Sequence, residues 1–464
     1  MTIMTTVPLR SQAPADDNSF MPHLATLAPR PRNMADTGLS RNLLEEMLVK
    51  HLYDAGVLDL QALVGRTALA GPVLEEVLAL LRANQYVEVR GKSDLSVGLR
   101  YALTDRGRAL AIEALGRNGY LGPAPISISQ YTALIQAQSV HAHEITREQM
   151  HEAFSDIVLR DSLLDELGPA VHSGRPIFIY GPPGTGKTYI GQRLARLLGT
   201  PVLIPHAIAV DESTVKIFDP SVHEPIESSA APSVMLQQGF DPRLVLCQRP
   251  AIVTGGELTL DMLEVRYSKE TRIHHAPLQL KATNGIYLID DLGRQRVAPV
   301  DLFNRWIVPL ENRQDFLSLG SGKRFPVPFD VVLIFSTNIN PVDLADGAFL
   351  RRIGHKIHFE PVPREDYAAI WKQVCAERGI AFEAPVLDFA LTELHARHRV
   401  PLLPCHPRDL IGMALDQARY EGGANRITTD MLATAWKNYF VNLDVDPDAE
   451  AASAAQSNNT QEDL

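Results

Sequence analysis

A glycine-rich loop between a predicted strand and a predicted helix limits what the middle of this chain can fold into. The pattern G-x-x-x-x-G-K-[ST] is met at Gly181, Pro182, Pro183, Gly184, Thr185, Gly186, Lys187 and Thr188. In this context the loop's backbone N–H groups turn inward around phosphates. Lys187 is expected to reach the β- and γ-phosphates and the Thr188 hydroxyl to hold Mg²⁺. The loop therefore predicts an α/β P-loop fold that binds ATP and Mg²⁺.

An apolar strand that ends in two acids supplies the second half of such a site. The segment GIYLIDD runs from Gly285 to Asp291, about 100 residues after the loop. Asp290 is expected to hold Mg²⁺, and Asp291 lies where a carboxylate would polarise the attacking water. Paired carboxylates at the end of a buried strand are costly without a cation. The alternative is an ordinary strand end that turns into a loop.

Composition and charge describe an ordinary globular protein with an acidic tail. The net charge is −11, and the tail from Asp444 onward has six acidic residues and no Lys or Arg. No apolar run reaches the roughly 18 residues that a membrane helix needs, and no secretory signal is evident. The three cysteines are far apart and lack metal-ligand spacing. These features predict a cytoplasmic protein without membrane insertion.

Residues 38–118 predict a small domain of helices and a hairpin. The expected order is a helix capped by Ser40, two further helices, a hairpin, and a last helix capped by Thr104. This order resembles a winged helix. Ten basic and ten acidic residues make the segment neutral, which disfavours duplex DNA because DNA binding depends mainly on Lys and Arg. A protein adaptor is the preferred interpretation, and DNA contact through Arg residues near the wing is the alternative.

After these motifs, the stretch from about 150 to 442 resembles the AAA+ ATPases. The resemblance implies a sensor 1 role for Asn338 and a γ-phosphate contact for Arg408, in the stretch HPRDL. Arg351 and Arg352 both remain candidates for the arginine finger offered to a neighbouring subunit, with a slight preference for Arg352. AAA+ ATPases usually carry Glu at the position of Asp291, so hydrolysis is expected to be slow.

Two further segments resemble insertions of the MoxR-like and related AAA+ branches. One is a predicted hairpin between 311 and 328, and the other is the stretch 258–280. The segment FLRRIGHKIHFEPVPREDY and the winged-helix front end resemble the MoxR-like, chaperone-type ATPases that are linked to pilus assembly. The branch implies a remodelling ATPase that acts on a protein partner as a homo-oligomer, with a hexameric ring expected. The alternatives are an ATP-dependent DNA-binding regulator or transposition/replication helper, and a slow nucleotide-gated scaffold.

The sequence as a whole predicts six parts. They are a disordered segment (1–37), a winged-helix-like domain (38–118), a linker (119–150), an α/β ATPase core (151–362), a helical lid (363–442) and an acidic disordered tail (443–464).

Overall fold

The computed structural model of the protein describes residues 24–90, 99–142, 144–226, 239–422 and 426–440. The predicted acidic tail and the first 23 residues lie outside these ranges, so those predictions are not tested. Among the described residues, no helix combines the length and the apolarity needed to cross a bilayer.

The front part folds into four helices and a three-stranded antiparallel sheet in the order β1-β3-β2. Ser40 and Thr104 accept the backbone N–H of Leu43 and Gly107, so both predicted helix caps are confirmed. Most of the predicted turn between β2 and β3 lies outside the described residues. The elements are α1 (Arg41–Ala55), β1 (Val57–Asp59), α2 (Leu60–Thr67), α3 (Gly71–Ala83), β2 (Val87–Arg90), β3 (Arg100–Leu103) and α4 (Asp105–Arg117).

The prediction of a linker over 119–150 is wrong for much of this range, because the chain forms regular secondary structure there. The range contains β4 (Ile126–Ser127), α5 (Ile128–Ala137) and the start of α6 (Arg147–Ala153). Ser127 and Gln130 form a capping box, and Tyr131, Leu134 and Ile135 are buried at helical spacing. Residues 24–37, predicted as disordered, are also ordered in part, because Leu24, Ala28 and Thr37 are buried.

The central sheet holds five parallel strands, which are in spatial order Ala251–Thr254, Ile286–Ile289, Val332–Thr337, Ile177–Tyr180 and His355–His358. The carboxyl ends of parallel strands meet at one edge, and this edge carries the site described below. The predicted α/β core built on a parallel sheet is therefore confirmed. The elements up to the third strand of this sheet are α7 (Asp161–His172), β5 (Ile177–Tyr180), α8 (Lys187–Leu194), β6 (Val202–Pro205), β7 (Ala207–Val210), β8 (Ser213–Lys216), β9 (Leu244–Cys247), β10 (Ala251–Thr254), β11 (Arg266–Ser268), β12 (Ile273–His275), α9 (Leu278–Lys281) and β13 (Ile286–Ile289).

A second sheet, β11-β12-β8-β7-β4, forms beside the central one. The predicted hairpin is confirmed as β14–β15, and its Leu317, Leu319, Phe325 and Val327 are buried in the apolar core that this second sheet shares. A β-rich insertion therefore interrupts the α/β core predicted for 151–362. The remaining elements of this half are α10 (Pro299–Asn312), β14 (Gln314–Ser318), β15 (Arg324–Pro328), β16 (Val332–Thr337), α11 (Pro341–Leu344), α12 (Gly347–Leu350) and β17 (His355–His358).

The C-terminal region is helical, as predicted. Its α-helices are α13 (Arg364–Glu377), α14 (Ala384–Phe389), α15 (Cys405–Tyr420) and α16 (Thr429–Tyr439). A π-helical stretch at Ala390–Ala396 continues α14 and was not predicted. It carries His395, whose ring lies 5.1 Å from that of His406 at the start of α15. The lid core thus buries two imidazoles against each other.

We expect His406→Phe to reduce the loss of lid stability as the pH falls. Burial lowers the pKa of His406 to about 4, and its Nδ1 has no hydrogen-bond partner. Because the unfolded imidazole takes up its proton first, this contribution to stability is complete above about pH 6.5 and is lost as the pH falls toward 4. Thermal unfolding is followed by tryptophan fluorescence at pH values from 7 to 4. The unfolding temperature should fall less with decreasing pH in the variant than in wild type. The exposed His358→Phe is the control, and an unchanged slope in His406→Phe would contradict the expectation.

Candidate functional site

The glycine-rich loop connects β5 to α8 at the carboxyl edge of the central sheet. Gly186 has φ +87°, a conformation that favours glycine, and a Cβ there would meet only open space. Gly184 has φ +81°, and a Cβ there would lie 2.5 Å from Cys405 Sγ of the lid. The loop is therefore open on one side and in close contact with the lid on another. The open side fits a phosphate chain.

Lys187 lies in the first turn of α8 and is largely buried. Its Nζ donates to the carbonyl oxygens of Gly181 and Pro182, each at 2.8 Å, and to Asn338 Oδ1 at 2.7 Å. Burial lowers the pKa of Lys187, while Asp290 and Asp291 act in the opposite direction. Lys187 and Asn338 are 151 residues apart in the chain, and the fold brings them into direct contact.

Thr188 and Asp290 are also in contact, as the magnesium prediction requires. The Thr188 hydroxyl donates to Asp290 Oδ2 at 2.6 Å. Asp291 is exposed, and its Oδ1 lies 3.5 Å from Asn338 Nδ2. The P-loop, the acid pair and the predicted sensor 1 residue therefore form one polar cluster. Hydroxyl and carboxylate oxygens are the donors that Mg²⁺ prefers.

The backbone gives a local reason for Asp at position 291. Its φ is +48°, in the left-handed region where Asp is tolerated better than most side chains. Gln295, which was not predicted, fixes this turn by accepting from Gly293 N–H and donating to the carbonyl oxygens of Asp290 and Asp291. The position of Asp291 relative to Asn338 is thus set by the turn as well as by the strand.

A cavity of about 530 Å³ extends from this cluster to the lid. Part of the cavity lining is apolar, and the sequence did not reveal this apolar slot. It is lined by Ile157, Val158, Leu159 and Leu163 from before and within α7, and by Ile370 and Val374 from α13. Their apolar character is shared with any buried helix or loop, so only the fold shows that they face a cavity. This apolar slot has the character of a site for a flat, uncharged ring.

The lid contributes polar groups to the same cavity. Arg408 lines it, as expected for the predicted γ-phosphate contact, and its Nη2 lies 3.5 Å from Glu377 Oε2. Cys405 N–H donates to the carbonyl oxygen of Gly184 at 3.3 Å, so the start of α15 contacts the P-loop directly. A ligand in this cavity would therefore contact the core and the lid together.

The two arginines that follow α12 have different surroundings. Arg352 donates from Nε to Glu311 Oε1 at 2.8 Å and to the carbonyl oxygen of Ala348, and its side chain is only 16% exposed. The exposed Arg351 guanidinium has no partner within the part of the chain that the structure describes. Arg352 is therefore held within the chain, whereas the Arg351 side chain is exposed.

A comparison with known families finds a match over nearly all of the predicted lid. Residues 363–438 match a family described as a domain of unknown function (DUF8689). The sequence matches no protein with a curated description.

Solved structures with a similar arrangement include two bacterial proteins. The Holliday junction branch migration motor RuvB of Thermotoga maritima is 13% identical, with a TM-score of 0.35 over 60% of this chain and 69% of that one. NtrX of Brucella abortus in complex with ADP is 15% identical, with a TM-score of 0.35 over 61% of this chain and 56% of that one. These values are too low to transfer a role from either protein to this chain.

Proposed function

We propose that this protein binds ATP with Mg²⁺ and hydrolyses the ATP at the cavity between its α/β core and its lid. The observation that carries the proposal is the convergence of Lys187, the Thr188–Asp290 pair and the Asp291–Asn338 pair at the mouth of one loop. Lys187 and Thr188 begin the helix after β5, and the other three residues directly follow the neighbouring strands β13 and β16. A chance glycine-rich turn would not bring Asn338 into contact with its lysine and Asp290 into contact with the threonine that follows.

The residues present fit a magnesium nucleotide. The hydroxyl and carboxylate of Thr188 and Asp290 are already paired at 2.6 Å and would hold the cation, which would neutralise phosphate charge. Lys187 is a buried ammonium whose partners are two backbone carbonyls, the Thr185 hydroxyl and the Asn338 amide oxygen. Among the described residues it forms no ion pair with a carboxylate. The apolar slot beyond the loop would take the adenine ring.

The hydrolytic step would use the polar pair at the phosphate end. Asp291 would accept a proton from a water whose oxygen attacks the γ-phosphorus as the bond to the ADP oxygen breaks. Asn338 contacts both Lys187 and Asp291, so it would orient this water relative to the phosphate. The short Asp291 side chain supports the expectation of slow turnover.

We further propose that the protein works as a ring of identical subunits, with six expected, in which Arg351 reaches the neighbouring site. Arginine fingers contribute about 10³-fold or more to phosphoryl transfer. Arg351→Ala should therefore lower turnover by about that factor without weakening ATP binding. Arg352→Ala, which breaks an intramolecular pair with Glu311, should act mainly on stability.

A mixing experiment separates action in trans from damage within one subunit. Arg351→Ala and Lys187→Ala proteins are combined, and turnover is compared with that of each variant alone. Recovered activity in the mixture is expected, because an intact pocket then faces an intact Arg351. No recovery, with both variants still assembling, would exclude a finger role for Arg351.

For the front part, whose topology is compatible with the proposed winged helix, we favour a protein partner over DNA. Its helix α3 presents Glu75 and Glu76 on the exposed face, and Glu76 accepts the N–H of Met34. Carboxylates on that face would repel a phosphate backbone. A chaperone-like remodelling role on a protein client follows as a proposal. Binding to duplex DNA that weakens steeply with salt would favour the regulator alternative instead.

A further inference from the structure

We infer that Gln373 selects adenine over guanine nucleotides at this cavity, an inference that rests on the proposed function. Gln373 lies on α13 of the lid and lines the cavity beside the apolar residues Ile370 and Val374. It is therefore a polar group among the apolar residues to which the proposed function assigns the base.

The orientation of the Gln373 side-chain amide is fixed by its partners. Its Nε2 donates to the carbonyl oxygen of Asp156 at 2.8 Å and to Glu377 Oε1 at 2.9 Å. Both partners can only accept, since one is a backbone carbonyl and the other a carboxylate, so the amide cannot be flipped. Both N–H groups are thus occupied by the protein.

The remaining polar atom, Gln373 Oε1, can only accept. It has no hydrogen-bond partner among the described residues and is not among their buried, unsatisfied side-chain atoms, so it is accessible for a ligand. The exocyclic amine of adenine is a donor that such an oxygen would bind. Guanine has a carbonyl oxygen at the same ring position, and two acceptors facing each other would repel.

Glu377 connects this base contact to the phosphate end. One carboxylate oxygen accepts from Gln373 Nε2, and the other lies 3.5 Å from Arg408 Nη2. Gln373 and Arg408 contact different oxygens of Glu377. Glu377 can therefore hold the Gln373 amide in position whether or not Arg408 moves toward a phosphate.

The test is equilibrium titration of the full-length protein with fluorescent ATP and GTP analogues in the presence of Mg²⁺. Wild type should bind ATP roughly tenfold or more tightly than GTP. This is the effect expected when Gln373 Oε1 accepts a hydrogen bond from adenine but faces the carbonyl oxygen of guanine. Gln373→Met should bring the ratio of the GTP and ATP dissociation constants close to one. Gln373→Lys keeps a donor for Asp156 and Glu377 but offers no acceptor, so it should lower the ratio at least as far.

A matched control is available in the same lid. Gln417 on α15 donates to Glu421 just after the helix, four residues later, as Gln373 does to Glu377, but it does not line the cavity. Gln417→Met should keep the wild-type ratio. A purely structural role for Gln373 would weaken both nucleotides equally and leave the ratio unchanged, which would overturn the inference alone. Absence of binding by either nucleotide in wild type would overturn the proposed function as well.

Discussion

Replacing Lys187 by alanine is expected to lower ATP turnover by about 10²- to 10³-fold, the usual cost of removing one preorganised charge-stabilising donor. The ammonium is buried and is held on Gly181, Pro182 and Asn338, so its position is set before any ligand arrives. The alanine variant would lose both the charge that faces the phosphates and the link to Asn338. Steady-state phosphate release at saturating ATP measures the effect.

The exposed Lys437→Ala, on the last helix of the lid, is the control for a general effect of removing a lysine. It should keep wild-type turnover, and both variants should unfold close to the wild-type temperature. If Lys187→Ala retained more than about a tenth of the wild-type rate while folded, the phosphate site would have to lie elsewhere.

The second large effect is expected on stability, from Arg243→Ala. Arg243 is 1% exposed and pairs with the buried Asp241, and its Nη1 also donates to the carbonyl oxygens of Thr37 and Pro125. It thus joins the segment before the front part, the segment before β4 and the strand β9. Removing it leaves a buried carboxylate without its counter-ion, which typically costs about 3–5 kcal/mol. Thermal or urea unfolding measures the loss.

Arg397→Ala provides the comparison, because Arg397 pairs with Glu393 at 3.9 Å with both side chains exposed. An exposed pair of this kind contributes only about 0.3–0.5 kcal/mol. If Arg243→Ala and Arg397→Ala lost similar stability, Arg243 would not hold the three segments together as described.

The parts of the site that follow from sequence are those with strong local patterns. The phosphate loop is specified by its glycines, Lys187 and Thr188, and the acid strand by an apolar run that ends in Asp290 and Asp291. Because parallel strands in such a fold end at one edge, the sequence also predicts that these motifs meet. Helix caps such as Ser40 and Thr104 were recognisable for the same reason, since their chemistry acts over three or four residues.

The parts that did not follow from sequence depend on long-range packing. The apolar slot uses Ile157 and Val374, which have no pattern to distinguish them from ordinary core residues. The second sheet joins strands as distant as Ile126–Ser127 and Arg266–Ser268, and such pairings are not encoded locally. The environments of Arg351 and Arg352 also differ through the ion pair of Arg352 with Glu311, which lies 41 residues earlier.

The most direct test of the central claim is steady-state ATP hydrolysis by the purified protein across a range of protein concentrations. Wild type is measured beside Lys187→Ala and Asp291→Glu. The proposed function predicts turnover that rises with concentration, as sites completed by a neighbouring subunit require, and that is lost in Lys187→Ala. Tight ATP binding without turnover in wild type, with turnover gained in Asp291→Glu, would contradict it and leave a nucleotide-gated scaffold.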